Sequence, residues 1–185
     1  MIHELREHQA TAVDAIERTL PLLAVPSMVV QAPTGAGKTA IADALCPDVA
    51  IAPGIDLVRQ LRGRIRGASV HTIQSLSAAL DRGEDLPEAG RVVVDEGRCV
   101  AAPKWRRVPE YYLARKAQLV ILDATPATPE GAGLGAWASA IYQVATMRSL
   151  IDKGFLVPYR IIASEEVAES PVRVWLRHLN GRRTL

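Results

Sequence analysis

The sequence predicts an α/β fold, with a mostly parallel central sheet covered by helices on both faces. Three observations carry that expectation. Short apolar runs alternate along the chain with stretches whose apolar residues recur at helical spacing. One run, Arg91-Val92-Val93-Val94-Asp95, is apolar enough to lie inside a sheet covered on both sides. A glycine-containing loop, Ala32 to Thr39, joins a predicted strand directly to a predicted helix.

Taken in order, Leu5, Gln9, Val13, Ile16 and Leu20 share one face of a helix over 4–20, with Pro21 as its stop. Ser27 to Gln31 reads as a short buried strand, and a helix runs from the loop that follows to about Leu45. A strand over 48–52, a helix over 55–65, a strand over 68–71 and a helix over 72–80 come next. Thr72 stands where that helix begins, and its hydroxyl suits an N-cap. A polar loop over 81–87 precedes the strand ending at Asp95. A helix over 104–116, interrupted by Pro109, leads to a strand over 118–122, and residues 125–135 form a Gly-Ala-rich loop. A helix over 146–153 and a strand over 159–164 complete the domain, 1–164, leaving 165–185 as a linker or the start of a further unit.

Composition bounds the function. The chain has 185 residues, 49% apolar and 23% charged, which fits one soluble domain with a sizeable core. No apolar run reaches the roughly 18 residues of a membrane span, and the N-terminus lacks a secretory pattern, so an intracellular, cytoplasmic location is expected. Cys46 and Cys99 have no paired spacing and form neither a disulfide framework nor a zinc site; Cys46 reads as a small core residue. The net charge of +2 is small, but Arg59, Arg62, Arg64 and Arg66 form one acid-free basic run and Arg173, Arg177, Arg182 and Arg183 another. Each run suits phosphate contact or a solvated surface about equally. Trp105, beside Lys104, Arg106 and Arg107, is expected to pack its helix, with base stacking as the alternative.

The loop at 32–39 has the chemistry of a phosphate cradle. Such a cradle needs small residues that let backbone N–H groups turn inward, a lysine for the β- and γ-phosphates, and a hydroxyl for magnesium. Thr34, Gly35, Ala36, Gly37, Lys38 and Thr39 supply these parts in order, with Ala32 where the general pattern has its first glycine. Asp95 and Glu96 then place two carboxylates at the C-terminal end of a buried strand, where ligands of open α/β sheets bind. Their expected division of labour is Asp95 on magnesium and Glu96 on the attacking water.

With these motifs in place the chain resembles the superfamily 2 (DExx-box) helicases and translocases, specifically their N-terminal RecA-like ATP-binding domain. Leu5-Arg6-x-x-Gln9 is similar to the adenine-recognition element, Ala32 to Thr39 to motif I, and Leu57-Val58-Arg59-Gln60 to motif Ia. Val70 to Leu76 resembles the next nucleic-acid-contacting segment, Asp95-Glu96 motif II, and Asp123-Ala124-Thr125-Pro126 motif III. Leu150 to Pro158 is similar to the segment that closes the first motor domain in DNA-directed members, and Gly181 to Thr184 to the lead-in to the second. The resemblance implies ATP and Mg²⁺ as ligands, with Arg6, Gln9 and residues 34–39 holding the nucleotide and Thr39 and Asp95 the metal. It implies Lys38, Asp95 and Glu96 as the catalytic set, and Arg59, Gln60, Thr72, Asp123 and Thr125 as nucleic-acid or coupling residues. It also implies nucleic acid as a partner, DNA favoured over RNA, and a second RecA-like domain in cis or in trans. That domain supplies arginine fingers contributing about 10³–10⁵ in rate, so the first domain alone is expected to turn over slowly.

Several residues depart from the family pattern, Ala127 and Glu130 in the loop after motif III among them. Gly97-Arg98 stands where Ala-His or Cys-His follows the acidic pair, and Asp123 replaces the hydroxyl that opens motif III. These departures motivate a second reading, a non-hydrolysing module that binds nucleotide or nucleic acid. A third, weaker one is an unrelated phosphate-loop enzyme that ignores nucleic acid.

Overall fold

A computed structural model of the chain describes residues 4–127, 131 and 133–159. The expected linker, the Tyr159–Ser164 strand beyond Tyr159, Trp175, the Gly181–Thr184 motif and the C-terminal arginines lie outside these residues.

The chain alternates helix and strand as expected. Its elements are α1 (Glu7–Thr19), β1 (Ser27–Gln31), α2 (Lys38–Ala44), β2 (Val49–Ala52), α3 (Ile55–Arg62), β3 (Ser69–Thr72), α4 (Ile73–Asp81), β4 (Arg91–Asp95), α5 (Arg107–Ala114), β5 (Gln118–Asp123), β6 (Ala140–Gln143) and α6 (Met147–Asp152). The six strands form one sheet in the order β3-β2-β4-β5-β1-β6, and every pairing is parallel.

Strand residues divide between the two faces with period two. Met28, Val30, Ala50, Ala52, Val93, Val120 and Leu122 pack beneath α1, α2 and α3. Val29, Val49, Ile51, Val92, Val94, Leu119 and Ile121 pack beneath α4 and α5. The central strands are apolar on both faces, so their sequences read as continuous runs rather than alternations.

Several boundaries differ from the expectation. Pro21 does not stop the first helix outright; it sits in a 3₁₀ turn, Leu20–Leu22, that continues it. Pro109 does not interrupt α5, because it occupies the first turn, where the missing N–H has no helical partner to lose. β6 was not foreseen: only alternate residues of this four-residue edge strand are half-buried, and its register comes from pairing with β1. Cys46 is exposed, not a core residue. It follows the last residue of the α2 cap at φ 47°, a left-handed position that turns the chain out of the helix. Trp105 is half-buried against the α4/α5 core, as expected of a packing residue, and so is Trp137.

Candidate nucleotide site

The order β4-β5-β1 brings three loops to one edge of the sheet. Gln31 at the end of β1 pairs with Asp123, and Asp95 at the end of β4 pairs with Leu122. The phosphate-type loop, the acidic pair and the Asp123 turn are therefore neighbours because their strands are.

The loop leaves β1 with the Ala32 N–H donating to the Asp123 carbonyl at 2.9 Å, and it turns through an Ala36 N–H to Pro33 carbonyl bond of 3.0 Å. Gly35 and Gly37 take left-handed conformations, φ +82° and +87°, which side-chain-bearing residues rarely adopt. The buried Ala36 carbonyl accepts two hydrogen bonds from α1, from His8 Nε2 at 3.0 Å and Gln9 Nε2 at 2.9 Å. Gln9 Oε1 in turn accepts the Arg6 N–H at 2.9 Å. Gln9 thus ties the start of α1 to the back of the loop.

On the opposite side, Glu96 is held at φ 51°, an uncommon conformation for a residue with a side chain, as the chain turns sharply from β4 into a 3₁₀ turn over Gly97–Ala101. Gly97 lies so close to β5 that an added Cβ would come 2.0 Å from Ile121 Cγ2. The Glu96 carboxylate is shared between two cations: Oε1 lies 3.4 Å from Lys38 Nζ and Oε2 3.6 Å from Arg98 Nη2. The Lys38 side chain is only 13% exposed, so its charge needs a nearby anion, and Glu96 supplies one. Burial pushes the Asp95 carboxyl up from its ordinary range; Lys38 opposes that shift, while the charges of Glu96 and Asp123 reinforce it.

Asp123 is fully buried. Its Oδ2 accepts the Arg98 N–H at 2.7 Å and its Oδ1 accepts the Thr125 N–H at 2.9 Å, joining the turn after β4 to the turn after β5. Burial pushes the Cys99 thiol up to about 12, with Asp123 adding to the effect.

The structure brings together residues 34–39, Gln9, Asp95, Glu96 and Asp123. Arg59, Gln60 and Thr72 lie elsewhere, on α3 and at the end of the edge strand β3, which three strands separate from β1. Thr72 caps α4 by accepting the Ser75 N–H at 3.0 Å. The basic run is partly neutralised by acids distant in sequence or next to it: Arg59 pairs with Asp56 at 3.1 Å and Arg66 with Asp43 at 2.9 Å. Sequence reasoning gave His8 no role and placed Phe155 and Leu156 only within the segment that resembles the close of the first motor domain, not at the loop. Leu156 covers the loop, since an added Cβ at Gly35 would lie 2.6 Å from Leu156 Cδ2. Nothing local to Leu156 signals this contact.

Comparison with solved structures returns the same architecture. The chain is similar to the Hef helicase domain of Pyrococcus furiosus, with a TM-score of 0.58 at 22% identity over 75% of this chain and 37% of that one. It is also similar to the UvsW helicase of bacteriophage T4, with a TM-score of 0.53 at 16% identity over 76% of this chain and 60% of that one. The fold is shared. It is a RecA-like α/β domain, and the chain spans less than two thirds of either structure's length. No protein-family model and no curated protein matches the sequence. Among the described residues, no helix is long and apolar enough to cross a membrane.

Proposed function

We propose that this chain is the ATP-binding first motor domain of a nucleic-acid-dependent ATPase of the helicase or translocase type. The observation that carries the reading is the meeting of Lys38 and Glu96 at 3.4 Å, between a loop with two left-handed glycines and a buried acidic strand end. Two such groups face each other where a phosphate needs a cation on one side and a water-orienting carboxylate on the other.

The residues fit Mg-ATP. The backbone of 34–39 would cradle the phosphates, and Lys38 would exchange Glu96 for the β- and γ-phosphate oxygens. Thr39 and Asp95 would hold magnesium, which neutralises charge on the phosphates when bound. A cation beside Asp95 would offset the burial that now disfavours its charged form. Glu96, released by Lys38, would orient and deprotonate the attacking water. Arg6 and Gln9 flank the loop on the side of α1, where the base would lie.

A second RecA-like domain, in cis or in trans, would supply arginines to the open edge. DNA is the favoured track, with Arg59, Gln60 and the α4 start at Thr72 as contacts. Asp123 and Thr125, which connect the acidic turn to the next, would couple track to nucleotide. A second reading, a binding module without turnover, is favoured by one contact: Arg98 lies 3.6 Å from Glu96, and a carboxylate tied to a second cation is less free to orient the attacking water.

Calorimetric titration of Mg-ATP into the chain and into Lys38→Ala tests the nucleotide site. Binding by the first and not the second is expected; absence of binding by both would overturn the reading. DNA-stimulated phosphate release after addition of a second motor domain, abolished in Glu96→Gln, separates a motor from a module.

A further inference from the structure

We propose that Phe155 is a positioning residue that sets the base preference of the nucleotide site by holding the Arg6 guanidinium as a flat stacking surface beside the phosphate loop. The proposal rests on the nucleotide reading above and gives a nucleotide-site role to a residue of the Leu150–Pro158 segment.

The placement of Phe155 is built rather than incidental. Thr146 caps the start of α6 by accepting the Ser149 N–H at 3.1 Å. At the other end Gly154 turns at φ +73°. The Gly154 N–H bonds the Ile151 carbonyl at 2.9 Å and the Phe155 N–H bonds the Leu150 carbonyl at 2.8 Å. This nested pair is a Schellman motif, which fixes where the two residues after the glycine go. Leu150 is buried against Ala32 and Ala36, so the whole turn is docked on the loop. Leu156 then covers Gly35, and Lys153 Nζ reaches Glu7 Oε2 at 2.9 Å.

Phe155 lands between the two parts of the site. Its ring lies 5.1 Å from the His8 ring at a 54° tilt, and His8 bonds the Ala36 carbonyl. On the same ring sits Arg6, its guanidinium carbon 5.1 Å from the centroid. Phe155 is half-buried and Arg6 exposed, so the ring backs the guanidinium and leaves it accessible to a ligand. A planar cation held in this way stacks on a base, and a purine offers it more area than a pyrimidine. Without the ring, Arg6 is one of many exposed arginines free to sample rotamers.

The test is equilibrium binding of Mg-ATP, Mg-CTP and inorganic tripolyphosphate to the wild-type chain, Phe155→Ala, Phe155→Leu and Phe155→Tyr. Circular dichroism checks folding, and Phe155→Leu keeps the apolar volume should Phe155→Ala fail to fold. The expected result is a loss of about tenfold in ATP affinity for the Ala and Leu variants, the scale of a cation–π contact. Their ATP-to-CTP preference collapses, tripolyphosphate affinity is unchanged, and Phe155→Tyr behaves as wild type. Equal loss for ATP and tripolyphosphate would make Phe155 a mere support of the loop, and unchanged ATP affinity would remove its role altogether; either overturns the proposal. Wild-type protein that binds ATP no better than tripolyphosphate also overturns it while leaving the phosphate site standing. Failure of the wild type to bind either ligand overturns both this proposal and the nucleotide reading.

Discussion

The buried carboxylate of Asp123 accepts the backbone N–H of Arg98 at 2.7 Å, so two of the residues that differ from the helicase motifs the sequence resembles are bonded to each other. A second bond, from the Thr125 N–H at 2.9 Å, completes the bridge between the turns that follow β4 and β5. Bonds to a charged acceptor contribute about 1.5–3 kcal/mol each. Asp123→Ser, which introduces the hydroxyl of the resembling motif, keeps one short acceptor in place of two oxygens. It is expected to cost about 2 kcal/mol or more in urea unfolding. Unchanged stability would show that these bonds do not hold the turns together.

Lys38 and Glu96 neutralise each other across 3.4 Å. Lys38→Ala removes the cation that the phosphates need and should weaken Mg-ATP binding by roughly 10- to 100-fold, the scale of a charge-assisted hydrogen bond. Glu96→Gln should bind at least as tightly as wild type, since it removes a negative charge near the phosphates, yet fail in turnover. Isothermal titration reads both; a Glu96→Gln variant that lost affinity alongside Lys38→Ala would argue for a structural role.

Burial raises the Asp95 carboxyl above its ordinary range. The folded chain therefore binds that proton more tightly than the unfolded chain, and stability falls as pH rises from the ordinary value through the raised one. At neutral pH the buried charge remains a cost until a cation offsets it. Asp95→Asn is expected to raise the melting temperature at pH 7, with the gain disappearing below the ordinary carboxylate range, and to abolish further stabilisation by magnesium with ATP. A lower melting temperature for Asp95→Asn at pH 7 would contradict this account.

At Gly97 packing rules out the alanine that the resembling motif carries. An alanine Cβ would stand 2.0 Å from Ile121 Cγ2, on a side chain that is itself fully buried. Overpacking of this kind costs about 1–3 kcal/mol. Gly97→Ala should lose that much in chemical denaturation, and Gly97→Ala/Ile121→Val should recover part of it; absence of recovery would place the strain elsewhere.

The two thiols should separate cleanly by reactivity. Cys46 is exposed, whereas the Cys99 thiol is half-buried and pushed up to about 12, leaving almost no thiolate at neutral pH. A maleimide is expected to label one site per folded chain, at Cys46, and both after unfolding. Mass-spectrometric detection of Cys99 labelling in the native protein would be the opposing result.

Much of this could be read in the sequence because it depends on neighbours along the chain. The strand–loop–helix at 27–45 and the acidic end of β4 carry local chemistry, and the cap at Thr72 is set by one side chain and the amide three residues on. Strand β6 escaped notice for the opposite reason. Ala140-Ile141-Tyr142-Gln143 is neither continuously apolar nor bounded by strong turn signals, and it is a strand because β1 offers it an edge. Cys46 was misplaced because helical spacing assigns faces only inside a helix, and the residue lies just past the end of one.

The order of apolar runs and the spacing of glycine, lysine and acidic residues determined the parallel sheet and which loops carry charge. Strand periodicity and phosphate-loop chemistry both act over a few residues, so linear sequence records them. Only the tertiary structure decided that Asp123 is buried as a bridge, that Gln9 and His8 grip the Ala36 carbonyl, and that Phe155 lies beneath Arg6. Those contacts join residues at least 25 positions apart along the chain. They exist because strand order and helix packing bring their backbones within a few ångströms, a condition that no local pattern encodes.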